Sequence, residues 1–100
     1  MIKLSGKIKE VFETTTFNNF AKRIFWLEET AEKYANTWQL ELWNKDTEMI
    51  DHYKVGDYVT IYIDIKGKFW QNDIGKQGVM NTLKCWNIEK DGVPFKEIIK

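Results

Sequence analysis

The segment Tyr58-Val-Thr-Ile-Tyr-Ile-Asp-Ile65 decides the fold class, because Val59, Ile61, Ile63 and Ile65 take one parity and Tyr58, Thr60, Tyr62 and Asp64 take the other. A period of two over eight residues specifies a strand with one buried face. A slip of one residue would turn every isoleucine to solvent, so the register is strongly determined.

The same alternation recurs upstream. In Thr37-Trp-Gln-Leu-Glu-Leu-Trp43, Trp38, Leu40 and Leu42 share one side and Gln39, Glu41 and Trp43 the other, which leaves Trp43 on the polar side. An earlier strand runs from about Arg23 to Glu29, with Phe25 and Leu27 opposed to Ile24, Trp26 and Glu28. The first strand begins at Ile2, where Ile2, Leu4, Gly6 and Ile8 alternate with lysines and Ser5 on the way to Phe12. Gly6 in its middle predicts a bulge or a sharp bend. A fifth strand covers about Val79 to Glu89, with Leu83 and Cys85 facing oppositely to Lys84 and Trp86. A one-residue bulge would reverse the face of Trp86.

The connections carry their own signals. Thr14 to Asn19 is a polar loop interrupted by Phe17 and followed by Phe20, and Glu29 to Asn36 is a loop or hairpin tip. Asp46 or Thr47 caps a short helix through Tyr53, on which Met49, Ile50 and Tyr53 recur at helical spacing. Gly56 suits a left-handed stop after it. Lys66 to Gly78, with Gly67, Gly75 and Gly78, reads as a long hairpin loop, and Asp91-Gly92 makes a turn before a tail at 93–100. Three strands, a short helix and two further strands give an all-β chain, a five-stranded Greek-key barrel of the OB-fold layout with its one short helix between strands 3 and 4.

One hundred residues are enough for a single core and too few for two, so residues 1–100 form one domain. No stretch approaches the ~20 apolar residues needed to cross a bilayer, and no apolar leader follows a basic start, so a soluble cytoplasmic protein is expected. Cys85, alone, has no internal disulfide partner. His52 is also alone, and no spacing supplies a nucleophile with its base, a metal-ligand set or a phosphate loop. An enzyme, a cofactor and a metal are therefore not expected.

Lysine and arginine balance aspartate and glutamate at 15 each, so net charge attracts neither nucleic acid nor anionic lipid. The distribution is uneven. Residues 1–23 carry Lys3, Lys7, Lys9, Lys22 and Arg23 against Glu10 and Glu13, and residues 66–84 carry Lys66, Lys68, Lys76 and Lys84 against Asp73, whereas residues 28–51 are acidic.

From Thr37 onward the pattern resembles single-stranded DNA-binding proteins of the bacterial type: an alternating strand ending in Trp43, a short helix, Gly56, the long strand Tyr58 to Ile65, and Trp70 after Lys66 and Lys68. The resemblance implies that bases stack on Trp43 and Trp70. A family of short single-OB proteins of unknown function is similar over roughly the whole chain, through Leu42-Trp43, Tyr53-Lys-Val-Gly-Asp57, Asp64-Ile-Lys-Gly67, Trp70 and Asn81 to Glu89. Bacterial members of the first family end in an acidic tip that recruits partner enzymes, and the ending Phe95-Lys-Glu-Ile-Ile-Lys100 does not match it.

OB-fold ligands lie across the second and third strands, between the loop joining strands one and two and the loop joining strands four and five. The candidate nucleic-acid-binding residues are Trp43, Trp70, Phe69 and Trp26 for stacking. Lys7, Lys9, Lys22, Arg23, Lys66, Lys68 and Lys84 are the candidates for phosphate contacts. Each has a structural alternative: Trp43 as a lid on the core, Trp70 as a loop anchor or oligomer contact, Trp26 at a subunit interface and each lysine as solvated surface. Glu41, beside Trp43, would repel phosphate. Trp38 belongs with the core.

The expected function is binding of single-stranded DNA, largely independent of sequence, in replication or recombination. One OB domain spans on the order of 4–16 nucleotides, so a dimer or tetramer is expected. The alternative is a protein-interaction or scaffold module, in which the same aromatics form an interface.

Overall fold

The structure, a computed structural model, describes residues 1–30 and 33–95. Seven strands form one sheet: β1 (Ile2–Val11), β2 (Thr15–Phe17), β3 (Phe20–Glu28), β4 (Thr37–Trp43), β5 (Tyr58–Gln71), β6 (Gln77–Lys90) and β7 (Val93–Pro94), with a 3₁₀ helix, Asn44–His52, between β4 and β5. The pairings close on themselves, β1–β5–β6–β4–β3–β1, to make the expected five-stranded barrel. Strands β2 and β7 are short additions that pair with β3 and β6. Residues 31 and 32 of the expected 29–36 connection and residues 96–100 of the expected tail lie outside the described residues.

The alternating positions supply the core. Ile8, Phe25, Leu27, Leu40, Leu42, Val59, Ile61, Cys85 and Ile88 are buried inside the barrel, and Met49, Ile50 and Tyr53 close one end. Trp38 packs at the core margin and donates its indole N–H to Glu29 (3.0 Å).

Closure depends on β1 serving two partners. Residues Ile2 to Lys7 pair with β5, Lys7 to Val11 pair with β3, and Lys7 pairs with both Tyr58 and Glu28. Gly6 stands where the exchange occurs. A Cβ there would press on the Glu28 carbonyl, 2.8 Å from its carbon, so close backbone approach is the reason for glycine. The expected bulge at Gly6 is displaced to Ile8/Glu10, where the register shifts.

Three other expectations are corrected. The second strand begins at Phe20 and not Arg23, because Asn18 and Asn19 both take positive φ (46° and 64°) and join β2 to β3 by a two-residue turn. The helix is 3₁₀, with Trp43 at its N-cap; neither Asp46 nor Thr47 caps it, and the Thr47 hydroxyl donates to the Asn44 carbonyl (2.8 Å). Lys66 to Gly78 is mostly strand, since the β5–β6 ladder continues to Gln71↔Gln77. Only a tight turn remains, in which Asn72 Oδ1 accepts from the Ile74 and Lys76 amides (3.1 and 2.9 Å). The resulting two-stranded ribbon runs past the barrel end, which exposes Ile65 (60%) although its parity is that of the core.

The ladder also shifts at Tyr62/Ile63, where Tyr62 faces Asn87 and Ile63 faces Cys85. That bulge changes the buried parity of β6 from Leu83 and Cys85 to Ile88. Trp86 then meets the Tyr62 ring at 5.4 Å.

Two outcomes follow from this packing. Gly6→Ala should destabilise the domain by about 1–3 kcal/mol, the usual cost of overpacking; an unchanged urea midpoint would refute the close-approach account. Burial pushes the Cys85 thiol up to about 12. At about pH 8.5, where an ordinary thiol is half ionised, it should resist a disulfide reagent in the folded protein and react at once in denaturant.

Candidate nucleic-acid interface

Strands β3 and β4 pair antiparallel with Lys22↔Trp43, Ile24↔Glu41 and Trp26↔Gln39, and these six residues make the outer face of that part of the barrel. On β5 the outward parity continues along the ribbon through Asp64, Lys66, Lys68 and Trp70. Opposite them on β6 stand Lys84, Thr82, Met80 and Gly78. Strand β4 pairs with β6 in parallel, in register at Glu41↔Lys84, which brings the two outer faces together.

An open groove of about 430 Å³ lies between the β2–β3 hairpin and the ribbon. It is lined by Phe17, Phe20 and Lys22 from the hairpin, Glu41 and Trp43 from β4, and Lys66, Lys68, Met80 and Thr82 from the ribbon. Three lysines against one carboxylate make it locally basic in a chain of zero net charge. Trp43 is half-buried. Its indole N–H donates to Glu41 Oε1 (2.9 Å), the Phe20 ring meets it edge-on at 5.5 Å, and Lys84 Nζ stands 5.1 Å over its ring centre. Trp70 lies further out, 42% exposed, against Gly78, where any Cβ would come within 2.8 Å of the indole.

The expected site residues therefore divide. Trp43, Lys22, Lys66 and Lys68 meet in the groove. Lys84 sits beside it on Trp43, and Trp70 shares the ribbon face of Lys66 and Lys68. Phe69 has the opposite parity, on the reverse of the ribbon with Ile65 and Val79. Trp26 is on the same outer face as Trp43 but four residues along β3 from Lys22, roughly 13 Å at ~3.3 Å per residue; it packs on Phe12 and donates to Gln39 (3.1 Å). Lys7 and Lys9 lie at the Glu28 end of β3, and Lys9 is paired with Glu28 (2.7 Å). Arg23 points the other way. It donates to Asp51 (2.9 Å), to the Phe12 carbonyl (2.7 Å) and to the Thr47 carbonyl (3.3 Å), tying β3 to the 3₁₀ helix.

Met80 and Thr82 also line the groove, although neither is among the candidates that the sequence offers. Their signal was the ribbon register, which pairs Met80 with Lys68 and Thr82 with Lys66. Among the described residues, no group of three or more His, Cys, Asp or Glu side chains is arranged to hold a metal ion, and no helix is long and apolar enough to cross a membrane.

Residues 3–89 match the family described as "Domain of unknown function (DUF3127)". The chain belongs to this family. No curated protein matches this DUF3127 chain. Among solved structures it is similar to the mitochondrial single-stranded DNA binding protein Rim1 from S. cerevisiae, with a TM-score of 0.69 and 17% identity over 90% of this chain and 92% of that one. A selenomethionine-labelled structure of the same yeast protein gives 0.67 and 16%, covering 88% and 90%. At this identity the likeness establishes a shared fold, and it makes the DUF3127 barrel an OB-fold.

The Arg23 contacts carry a consequence for stability. Arg23→Met should lower unfolding free energy by roughly 1.5–3 kcal/mol, the range for hydrogen bonds to charged groups. An unaltered melting temperature would return Arg23 to the list of free cations.

Proposed function

We propose that this protein binds single-stranded DNA, largely without sequence preference, along the groove between the β2–β3 hairpin and the β5–β6 ribbon. The observation that carries the reading is the juxtaposition of Trp43 with Lys22, Lys66 and Lys68 on one open outer face. Bases stack on Trp43 and, further along the ribbon, on Trp70, because every base offers a π-face and stacking tolerates any sequence. The lysines neutralise phosphates and release counterions. The fold shared with a yeast protein named for single-stranded DNA binding supports the same reading. Replication or recombination in the cytoplasm is the setting in which such strands are exposed, and a dimer or tetramer extends the short site of one barrel. The role is binding, without catalysis.

A protein-interaction module is the second reading, favoured by the reverse of the ribbon. There Ile65 (60%), Phe69 (59%) and Val79 (66%) are exposed on a face without charge.

Titration with oligo-dT tests the first reading. Intrinsic tryptophan fluorescence should be quenched at micromolar oligonucleotide, duplex DNA should quench less, and log affinity should fall with log salt at a slope of about −2, from three phosphate contacts at ~0.7 each. Trp43→Ala and Trp70→Ala should each weaken binding by roughly 1–3 kcal/mol with far-ultraviolet circular dichroism nearly unchanged. Absence of quenching overturns the proposal, and unfolding of Trp43→Ala would make that ring a lid on the core.

A further inference from the structure

The geometry points to Glu41 and Lys84 as positioning residues that hold the Trp43 ring for stacking and act through that ring, and not through phosphate. The inference rests on the single-stranded DNA reading and refines two side chains whose charges alone suggest other roles: Glu41 a liability beside the groove, Lys84 one more phosphate contact.

An unrestrained tryptophan on a strand end samples several rotamers, and ordering it on binding costs side-chain entropy. Trp43 is restrained on three sides. Glu41, two residues earlier on the same strand face, accepts its indole N–H at 2.9 Å. Phe20 meets it at an interplanar angle of 66°. Lys84 places its ammonium 5.1 Å from the ring centre, within cation–π range. Glu41 and Lys84 are the registered cross-strand pair of the β4–β6 ladder, so both braces are fixed at the barrel seam.

Trp43 and Glu41 line the groove and Lys84 does not. Lys84 stands over the ring, and the part of the indole that lines the groove is what a base can reach. With its ammonium on the indole, and in no ion pair among the described residues, Lys84 backs the platform.

Opposite signs at one position make the test. Glu41→Gln keeps an acceptor for the indole N–H and removes the negative charge, so oligo-dT binding should tighten about two- to threefold. Glu41→Ala removes the same charge and also the brace, so binding should weaken about three- to tenfold, short of the ~5- to 150-fold expected from losing a stacked ring. Lys84→Met should weaken binding with the salt slope unchanged, and Lys84→Arg should restore it, whereas Lys22→Met should reduce the slope by about 0.7, one phosphate contact. In the free protein, Glu41→Ala and Lys84→Met should both diminish the near-ultraviolet tryptophan dichroism that Glu41→Gln retains.

If the wild type binds and Glu41→Ala tightens binding as much as Glu41→Gln, Glu41 is only a repelling charge and the inference falls. If Lys84→Met lowers the slope as Lys22→Met does, Lys84 is a phosphate contact and the inference falls. Failure of the wild type to bind at all is a separate result, which overturns the function and this refinement together.

Discussion

The backbone contact at Gly6 holds the molecule together as a barrel. One strand, β1, must satisfy two neighbours in succession, and the exchange at Gly6 and Lys7 brings its backbone against the Glu28 carbonyl with no room for a side chain. Once that approach is made, β3 and β5 are tied to the same strand and the sheet has no free sides within the barrel. Each strand then places alternate residues inside. The sheet edges that would otherwise invite pairing with another chain are consumed by closure.

Closure also determines where the groove lies. Strands β4 and β6 are in register at Glu41↔Lys84, and beyond it β5 and β6 continue as a ribbon beside the β2–β3 hairpin. Two hairpins that are far apart in the chain thereby flank one strand end, that of β4 with Trp43. The charge arrangement follows from the same alternation. On the ribbon, lysines 66 and 68 occupy one face, and Ile65, Phe69, Val79 and Leu83 occupy the other. A chain with no net charge thus presents a locally basic groove, whose field acts at short range and gives little long-range steering.

Much of this was legible in the residues themselves. The parity of Leu40, Leu42, Val59, Ile61 and Ile63 identifies the core, and the same parity turns Trp43 outward. Lys66 and Lys68 with Trp70 were recognisable as a basic aromatic segment. What was misread lay in segments where local signals pointed away from strand. Gly67, Gly75 and Gly78 suggested a loop, yet only Gly75 sits in the turn with positive φ, and Gly78 is there to admit the Trp70 ring. Asn18-Asn19 was a readable hairpin turn that the loop assignment of Thr14 to Asn19 passed over. Arg23 looked like a neighbour of Lys22, but adjacent strand residues face opposite sides and only Lys22 reaches the groove.

By itself the sequence determined that this is an all-β chain of five principal strands, which side of each strand is apolar, and which aromatic rings are left outside. Those are local properties, set by a two-residue period and by backbone sterics. The tertiary structure alone decided that Trp43 meets Lys84, Phe20, Lys66 and Lys68, that Phe69 turns away from them, and that Arg23 serves the 3₁₀ helix. Those contacts depend on the register between strands distant in the chain and on a bulge at Tyr62/Ile63. The balance of pairing and packing over the whole barrel sets them, and no local pattern encodes that balance.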